Sequence, residues 1–590
     1  MKSETDLKMD NNKIDPITLE VMRNAFYSIS EEMNAALIRA SYSTNIKDRR
    51  DASCAIYTAT GDIVVVAQSE MGTPLHLGTM HSAVQTALDA FPFGELEPGD
   101  AVAMNTPYPG GPGHLNDLCL ISPIFHEDRL VALTANQAHH VDMGGFAPGS
   151  MPFGVTEIYQ EGMQIPPVRL FRKGNLDRDL WNLISQNVRT PVEVRGDLFA
   201  QLAANSVGGR NIVGLMKRYG TRTVQDYLEE MLNYSERRMR AALQIIPKGR
   251  YEASDVIEGD GIVDQDYSIR VKIDANGESI KCDFSDTDPS TLGPLNCRWP
   301  SVAACVYYVL KAVLDPELPP NAGLYRPIEI IVKEGTVLSA KYPVAVCNAN
   351  IITTQRIVDV LISALSQAVP ERVLAASSGT MNLLNIGGID PRTGIYYNYV
   401  ETYAGGQGAM KIQDGMDAVQ NHMTNTRNAP VESIEQAYPL LVEAYCLVTD
   451  SEGAGEHRGG VGLRRSFRVM GDEIRVTLSS DRARVAPWGL FGGGSASTSK
   501  CEVIGLDNTN RRLPSKVTTS VQHGSILETT TPGGGGWGNP RKRDPELVLE
   551  DVVAGLVSID RAREIYSVAI DLNEMIVNIP ETATLRNQIE

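Results

Sequence analysis

Long apolar runs are missing from this 590-residue chain. No stretch of about 18 apolar residues occurs, so a transmembrane helix is not expected. The N-terminus, MKSETDLKMDNNKID, has no apolar core and does not read as a signal peptide. Basic charge is short as well: 54 Lys+Arg against 72 Asp+Glu give a formal net charge of −18. That balance disfavours nucleic acid and an anionic membrane as partners, since both need a basic face. Cysteine is scarce. The eight stand at 54, 119, 282, 297, 305, 347, 446 and 501, none within CxxC spacing of another. A disulfide scaffold or a structural Cys-zinc site is not expected, and reduced thiols in a cytoplasmic protein fit better. Phosphate-cradling motifs are lacking too. The glycine clusters at 492–494 and 533–536 lack a lysine and hydroxyl at the spacing a P-loop requires. No GxGxxG leads from a strand into a helix with an acidic residue downstream, and there is no GxSxG elbow. Those glycines read as tight turns and close backbone packing.

What is present suffices for a large core: 42% hydrophobic and 21% charged residues. The length suggests about two to four domains. Met22, Phe26, Ile29, Met33 and Leu37 recur at helical spacing after Asp15-Pro16. Residues 54–66 read as two strands around a Thr-Gly-Asp turn. Further helices fit 77–91, 222–246, 300–314 and 354–368, with two short ones in 544–568. Residues 250–285 are β-rich, and 390–540 are dense in glycine and short strands. The expected fold is α+β and multidomain, with mixed β-sheets, packed helices and Gly-rich β loops in the C-terminal half. The expected divisions are a disordered tail at 1–14, an N-terminal α+β domain at 15–249, a middle α/β domain at 250–389, and a β-rich C-terminal domain with terminal helices at 390–590.

Histidine is rare but clustered. Six of the nine fall between 76 and 140: His76, His81, His114, His126, His139 and His140. His114-Leu-Asn-Asp117 follows the loop PYPGGPG, and His139-His140-Val-Asp142 ends the strand-like run LVALTANQA. Imidazole plus carboxylate without thiolate is the donor set of catalytic Zn²⁺, Mn²⁺ or Fe²⁺ centres. A packed, hydrogen-bonded histidine is the competing reading of each pair. The charge run from Lys47 to Asp51 reads as a solvated turn or as a carboxylate, Asp51, entering a site. The polar run at 420–430 reads as a solvated loop or as one facing substrate or a partner chain.

The chain resembles the hydantoinase B/oxoprolinase family: B-type subunits of ATP-dependent hydantoinases and related subunits of acetone and acetophenone carboxylases. The resemblance rests on NIKDRRDASCAIY, PLHLGTMHSAV, LEPGDAVAMNTPYPGGPGHLNDL, NQAHHVDMGGFAPGSMPFGVTEIYQEGMQIPPVRL, NVRTPVEVRGDL, LPPNAGLYRPIEI, HMTNTRNAPVE, AGEHRGGVGL and TPGGGGWGNPRKRDPELVLEDV. These stretches run in family order over nearly the whole chain.

The resemblance implies one divalent metal, Zn, Mn or Fe, held by His114, Asp117 and His139, with Asp51 as candidate fourth ligand. His140, Asp142 and His76 become candidates to orient those ligands or touch substrate. It also implies an A-type partner subunit, an actin-like-fold ATPase carrying the ATP, within a hetero-oligomer. The expected activity is hydrolysis of a cyclic amide such as a hydantoin, 5-oxoproline or a lactam. A ketone carboxylase subunit and a non-catalytic scaffold subunit are the alternatives. Many relatives read DPYxGGTH where this chain reads TPYPGGPGH, so Thr106 replaces an acidic residue and the loop gains one residue.

Overall fold

Asp15 caps the first helix, α1 (Pro16–Ala40), by accepting from the Thr18 amide, with Pro16 in the first turn. The computed structural model describes residues 14–59, 63–571 and 573–587. The tail expected at 1–14 lies outside the described residues except for Ile14, and so does the Thr60-Gly61-Asp62 turn. The expected stripe of α1, Met22, Phe26, Ile29, Met33 and Leu37, is buried. Each such side chain contributes about 1.5–3 kcal/mol by leaving water.

Seven strands form the first sheet: β1 (Ala52–Thr58), β2 (Val65–Gln68), β3 (Ala101–Met104), β4 (Asp117–His126), β5 (Arg129–His139), β6 (Val168–Arg172) and β7 (Asn175–Leu176). Their order is β2-β1-β5-β4-β3-β6-β7. All neighbours are antiparallel. Both faces are covered, so β1 is buried almost throughout instead of alternating. Ala52, Cys54 and Ile56 face α1 and the long helix α3 (Pro191–Tyr219), whereas Ala55 and Tyr57 face α2 (His76–Ala90).

The sequence reading assigns no helix to 191–219, yet α3 is 29 residues long. Its buried face interleaves Asp197, Gln201 and Asn205 at i, i+4 and i+8, and Gly208 and Gly209, with the apolar Val194, Leu198, Ile212 and Met216, so the apolar rhythm is interrupted. The polar groups are spent on the sheet. Gln201 Nε2 donates to the Leu118 carbonyl and to Asn136 Oδ1, and Asn205 Nδ2 donates to the Leu120 carbonyl. Asp197 Oδ1 accepts from the amides of Tyr42 and Ser43. Thus α3 grips the strands through hydrogen bonds where most helices use leucines. Gln201→Leu would strand these buried acceptors, and its expected cost is about 1–3 kcal/mol in chemical denaturation. A fully stable variant would remove the helix's gripping role.

A second sheet holds β8 (Gly249–Ile257), β9 (Tyr267–Ala275), β10 (Ile280–Asp283) and β11 (Ile328–Ile331), ordered β11-β10-β9-β8, with β10 and β11 parallel. The strand β9 shows strict period-2 burial. Two apolar helices, Trp299–Leu314 and Thr353–Leu365, join this sheet in the largest core cluster. Two antiparallel sheets follow, one of four strands within 383–522 and one of five within 440–530. The fold is α+β with several packed layers. The glycines at 533–536 pass through crowded backbone: a Cβ on Gly534 would collide with the Gln407 carbonyl, and one on Gly535 with the Trp488 carbonyl. No helix among the described residues is long and apolar enough to cross a membrane.

Candidate metal centre

Three neighbouring strands end at one edge of the first sheet. Asp117 opens β4 and His139 closes β5, and the two are directly opposed in the register. Cross-strand partners share a face, so both side chains enter the same space. Asp51 sits just before β1, and its carbonyl accepts from the His139 amide at 3.1 Å. A turn places His114 beside this pair, with the Asp117 amide donating to the His114 carbonyl at 3.2 Å. One ligand atom each from His114, Asp117 and His139 lie within 4.8 Å of one another, and all three residues are buried. His114 Nε2 is 3.2 Å from Asp117 Oδ1, and the two imidazoles meet edge to face at 4.9 Å.

Each group is fixed from behind. His114 Nδ1 lies 3.0 Å from the Cys347 carbonyl, which leaves Nε2 toward Asp117. Glu161 in turn holds that stretch of backbone by accepting from the amides of Val346 and Cys347. Asn45 Nδ2 lies 2.7 Å from His139 Nδ1 and also donates to the His139 carbonyl. Asn350 Nδ2 donates to Asp117 Oδ2 at 3.3 Å. Thr73 Oγ1 donates to Asp51 Oδ1 at 2.9 Å. Such outer contacts fix ring orientation and basicity in metal sites.

Burial opposes an ionised Asp117, but His114 and His76 hold its carboxyl well below the usual carboxylate range. Burial likewise opposes a charge on His114, and Asp117 overrides it to raise the imidazole's pKa. Burial, then the neighbouring His114, lowers His139 to about 4, so this ring stays neutral. An anionic oxygen beside neutral imidazole is a donor set that binds Zn²⁺, Mn²⁺ or Fe²⁺. The residues fit a divalent ion.

The cavity at this edge measures about 30 Å³. It is lined by Asp51, His76, His114, Asp117 and His139, all expected from the sequence, and by Arg49 and Asn350, which were not. Asp51 lines the cavity without joining the three-residue cluster. His76 sets Nδ1 2.9 Å from Ser53 Oγ and Nε2 3.9 Å from Asp117 Oδ1. His140 and Asp142 are not brought to the cavity. Successive residues at a strand end point to opposite faces, so His139 faces the cavity while His140 Nε2 meets Gln201 Oε1 of α3 at 3.0 Å. Asp142 anchors a loop: it accepts from the amides of Gly144, Gly149 and Arg189 and from the Arg189 guanidinium. The polar run at 420–430 does reach the site, since Met423 and Thr424 line it. Asn425 pins that run to the carbonyls of Met71 and Gly72.

A helix-covered antiparallel sheet brings His114, Asp117 and His139 together in one buried cluster at the ends of its central strands. The chain belongs to the hydantoinase B/oxoprolinase family, whose model matches residues 15–540. An uncharacterised protein of Methanocaldococcus jannaschii is 40% identical over 97% of this chain and 100% of its own length. A putative B-type subunit of a D-/L-hydantoinase from a Pseudomonas strain is 32% identical, covering 98% of each chain. The crystal structure of the ATP-dependent caprolactamase from Pseudomonas jessenii superposes with a TM-score of 0.90 at 30% identity, over 98% of this chain and 100% of that one. A nucleotide-free acetone carboxylase shares the fold, with a TM-score of 0.89 at 20% identity, over 98% of this chain and 83% of that one.

Proposed function

We propose that this chain is the metal-bearing, B-type component of an ATP-dependent cyclic-amide hydrolase, acting with an A-type ATPase partner. The observation that carries the reading is the convergence of His114, Asp117 and His139 in one buried cavity. A pure scaffold needs no such cluster. The likeness to a hydantoinase component and a caprolactamase supplies the substrate class. The lack of a phosphate-cradling loop in the sequence agrees with ATP being handled elsewhere in the assembly.

An unstrained cyclic amide resists water because its carbonyl is resonance-stabilised. Transfer of a phosphoryl group to the amide oxygen makes the carbon electrophilic and gives it a leaving group. His114, Asp117 and His139 would hold the ion, with Asp51 as fourth ligand. When bound, a divalent ion supplies Lewis acidity and lowers the pKa of a water toward about 7. Asp117 stays ionised and His139 neutral, as ligands must be. Asn45 and the Cys347 carbonyl keep the two rings in place. His76, His114, Asp117 and His139 are buried, and a water-poor setting of this kind would protect an activated intermediate. His76, hydrogen-bonded to Ser53 and 3.9 Å from Asp117, would orient that carboxylate or touch substrate.

The deciding experiment purifies the chain with its ATPase partner and follows ATP consumption. Hydantoins, 5-oxoproline, lactams and ketones are supplied with and without bicarbonate. A cyclic amide should stimulate turnover at least tenfold without bicarbonate, about the effect of 1.4 kcal/mol of transition-state stabilisation. Strict bicarbonate dependence with a carboxylated ketone as product would transfer the chain to the carboxylase branch.

A further inference from the structure

Five arginines have essentially no exposed surface: Arg49, Arg356, Arg465, Arg482 and Arg543. Four of them meet carboxylates within 4.0 Å: Arg356 with Asp481, Arg465 with Glu401, Arg482 with Asp255 and Asp359, Arg543 with Asp414 and Asp551. Among the described residues Arg49 meets none. Its guanidinium is held instead by neutral acceptors: Nη1 donates to Asn45 Oδ1 and to the Val400 carbonyl, and Nη2 to Thr402 Oγ1. The Nε–H is buried and has no partner. Arginine does not deprotonate in proteins, so this is a permanent buried cation with a donor to spare. It lines the cavity that holds His114, Asp117 and His139.

Asp51, which lines the same cavity, is the leading favourable charge acting on this guanidinium but makes no ion pair with it within 4.0 Å, so burial of the cation is only partly offset, at a cost of several kcal/mol. Asn45 ties Arg49 to the cluster, because the same side chain that accepts from Arg49 contacts His139. Glu401, the nearest acidic residue on β-strand Tyr396–Thr402, is already engaged by Arg465. The cavity of about 30 Å³ admits small groups such as oxygens beside Arg49.

We infer that Arg49 is the receptor for an oxyanion group of the substrate, presented to the cavity beside the metal cluster. Two sources share this chemistry: the phosphoryl group of an activated amide and a carboxylate carried by the ring. The choice of these two sources rests on the proposed function, whereas the free guanidinium donor does not. Neutral acceptors orient the fork, so an incoming oxyanion gains a charge-assisted hydrogen bond with little reorganisation. Lysine would keep the charge but lose the planar fork.

The test titrates inorganic phosphate, and separately formate, into the chain as purified with its metal content measured, using calorimetry. Wild type, Arg49→Gln and Arg49→Lys are compared at matched metal occupancy, and circular dichroism melts report folding. Arg49→Gln should weaken oxyanion binding about ten- to hundredfold, the factor for one hydrogen bond to a charged group. Arg49→Lys should fall between. Phosphate binding tighter than formate identifies the phosphoryl source; formate equal or tighter identifies a substrate carboxylate. Oxyanion affinity unchanged in both variants, or no binding to wild type, overturns the assignment. Should Arg49→Gln not fold, the Arg49→Lys and wild-type titrations decide alone. These results are independent of amide turnover, so a failure here leaves the hydrolase reading standing, and the reverse.

Discussion

His114→Ala should emerge from purification without its metal and with turnover in the assembled enzyme reduced by on the order of a thousandfold or more. The fold should survive. His114 sits in a loop before β4, and its side-chain contacts are Asp117, the Cys347 carbonyl and the His139 ring. No apolar core cluster includes it. Removing the ring deletes one of the three clustered donors, and the ligands that remain bind divalent ions far more weakly. His140→Ala is the internal control. That ring lies against Gln201 on the α3 side of the sheet, so it should cost stability while leaving metal content near wild type. Elemental analysis of both variants beside their melting curves makes the comparison. Equal metal loss in the two, or full occupancy in His114→Ala, would sink the assignment of His114 as a ligand.

The site was legible where chemistry follows local spacing. Local spacing singles out the HxxD and HH pairs as imidazole–carboxylate candidates, while the choice of His114, Asp117 and His139 as the ligand set came from the family resemblance. The expectations on either side of them differ for a physical reason. His139 and His140 are indistinguishable in sequence, and only the strand's pleat decides which one enters the cavity. Arg49 reads as part of a solvated charge run, yet it is 1% exposed. Burial of a single arginine depends on strands near 400 closing over it, which no local pattern announces. Asn45 and Asn350 gave no signal at all, since a lone asparagine has no periodicity.

The same rule divides the fold. The helix α1 was readable because its buried stripe is largely apolar, and α3 was not because Asp197, Gln201, Asn205 and two glycines interrupt its apolar residues. Period-based reading detects hydrophobic faces, so a helix seated on hydrogen bonds escapes it. The glycine clusters, by contrast, were read correctly as backbone packing, since rejecting a P-loop needs only the local residues.

Arg356→Met should destabilise the protein by about 3–5 kcal/mol, the cost of breaking a buried ion network from one side. Arg356 lies on the helix Thr353–Leu365 with no exposed side chain. Its Nη2 donates to Asp481 Oδ2 at 2.7 Å, and its Nη1 reaches Asp255 Oδ2 at 3.2 Å and Asp359 Oδ2 at 3.3 Å. Arg482 donates to Asp255 and Asp359 at 2.8 Å, and Lys516 to Asp481 at 2.7 Å. Three cations thus balance three carboxylates where the β8 sheet, this helix and the strands near 480 and 516 meet. Methionine fills much of the arginine's volume, so lost packing is a small part of the cost. The larger part is the charge left behind: three buried carboxylates facing Arg482, Lys516 and the His422 ring beside Asp359. Asp359 is the weak point, because burial already raises its pKa. The variant should therefore bind an extra proton when folded. Folding that takes up a proton is favoured at low pH, so the variant's deficit should shrink as pH falls below neutrality. Pairing Arg356→Met with Asp481→Leu removes one charge of each sign and should recover a substantial part of the loss. Denaturation curves at two pH values for the single and double variants measure both effects. A single variant within about 1 kcal/mol of wild type would mean that the network balances its charges without Arg356.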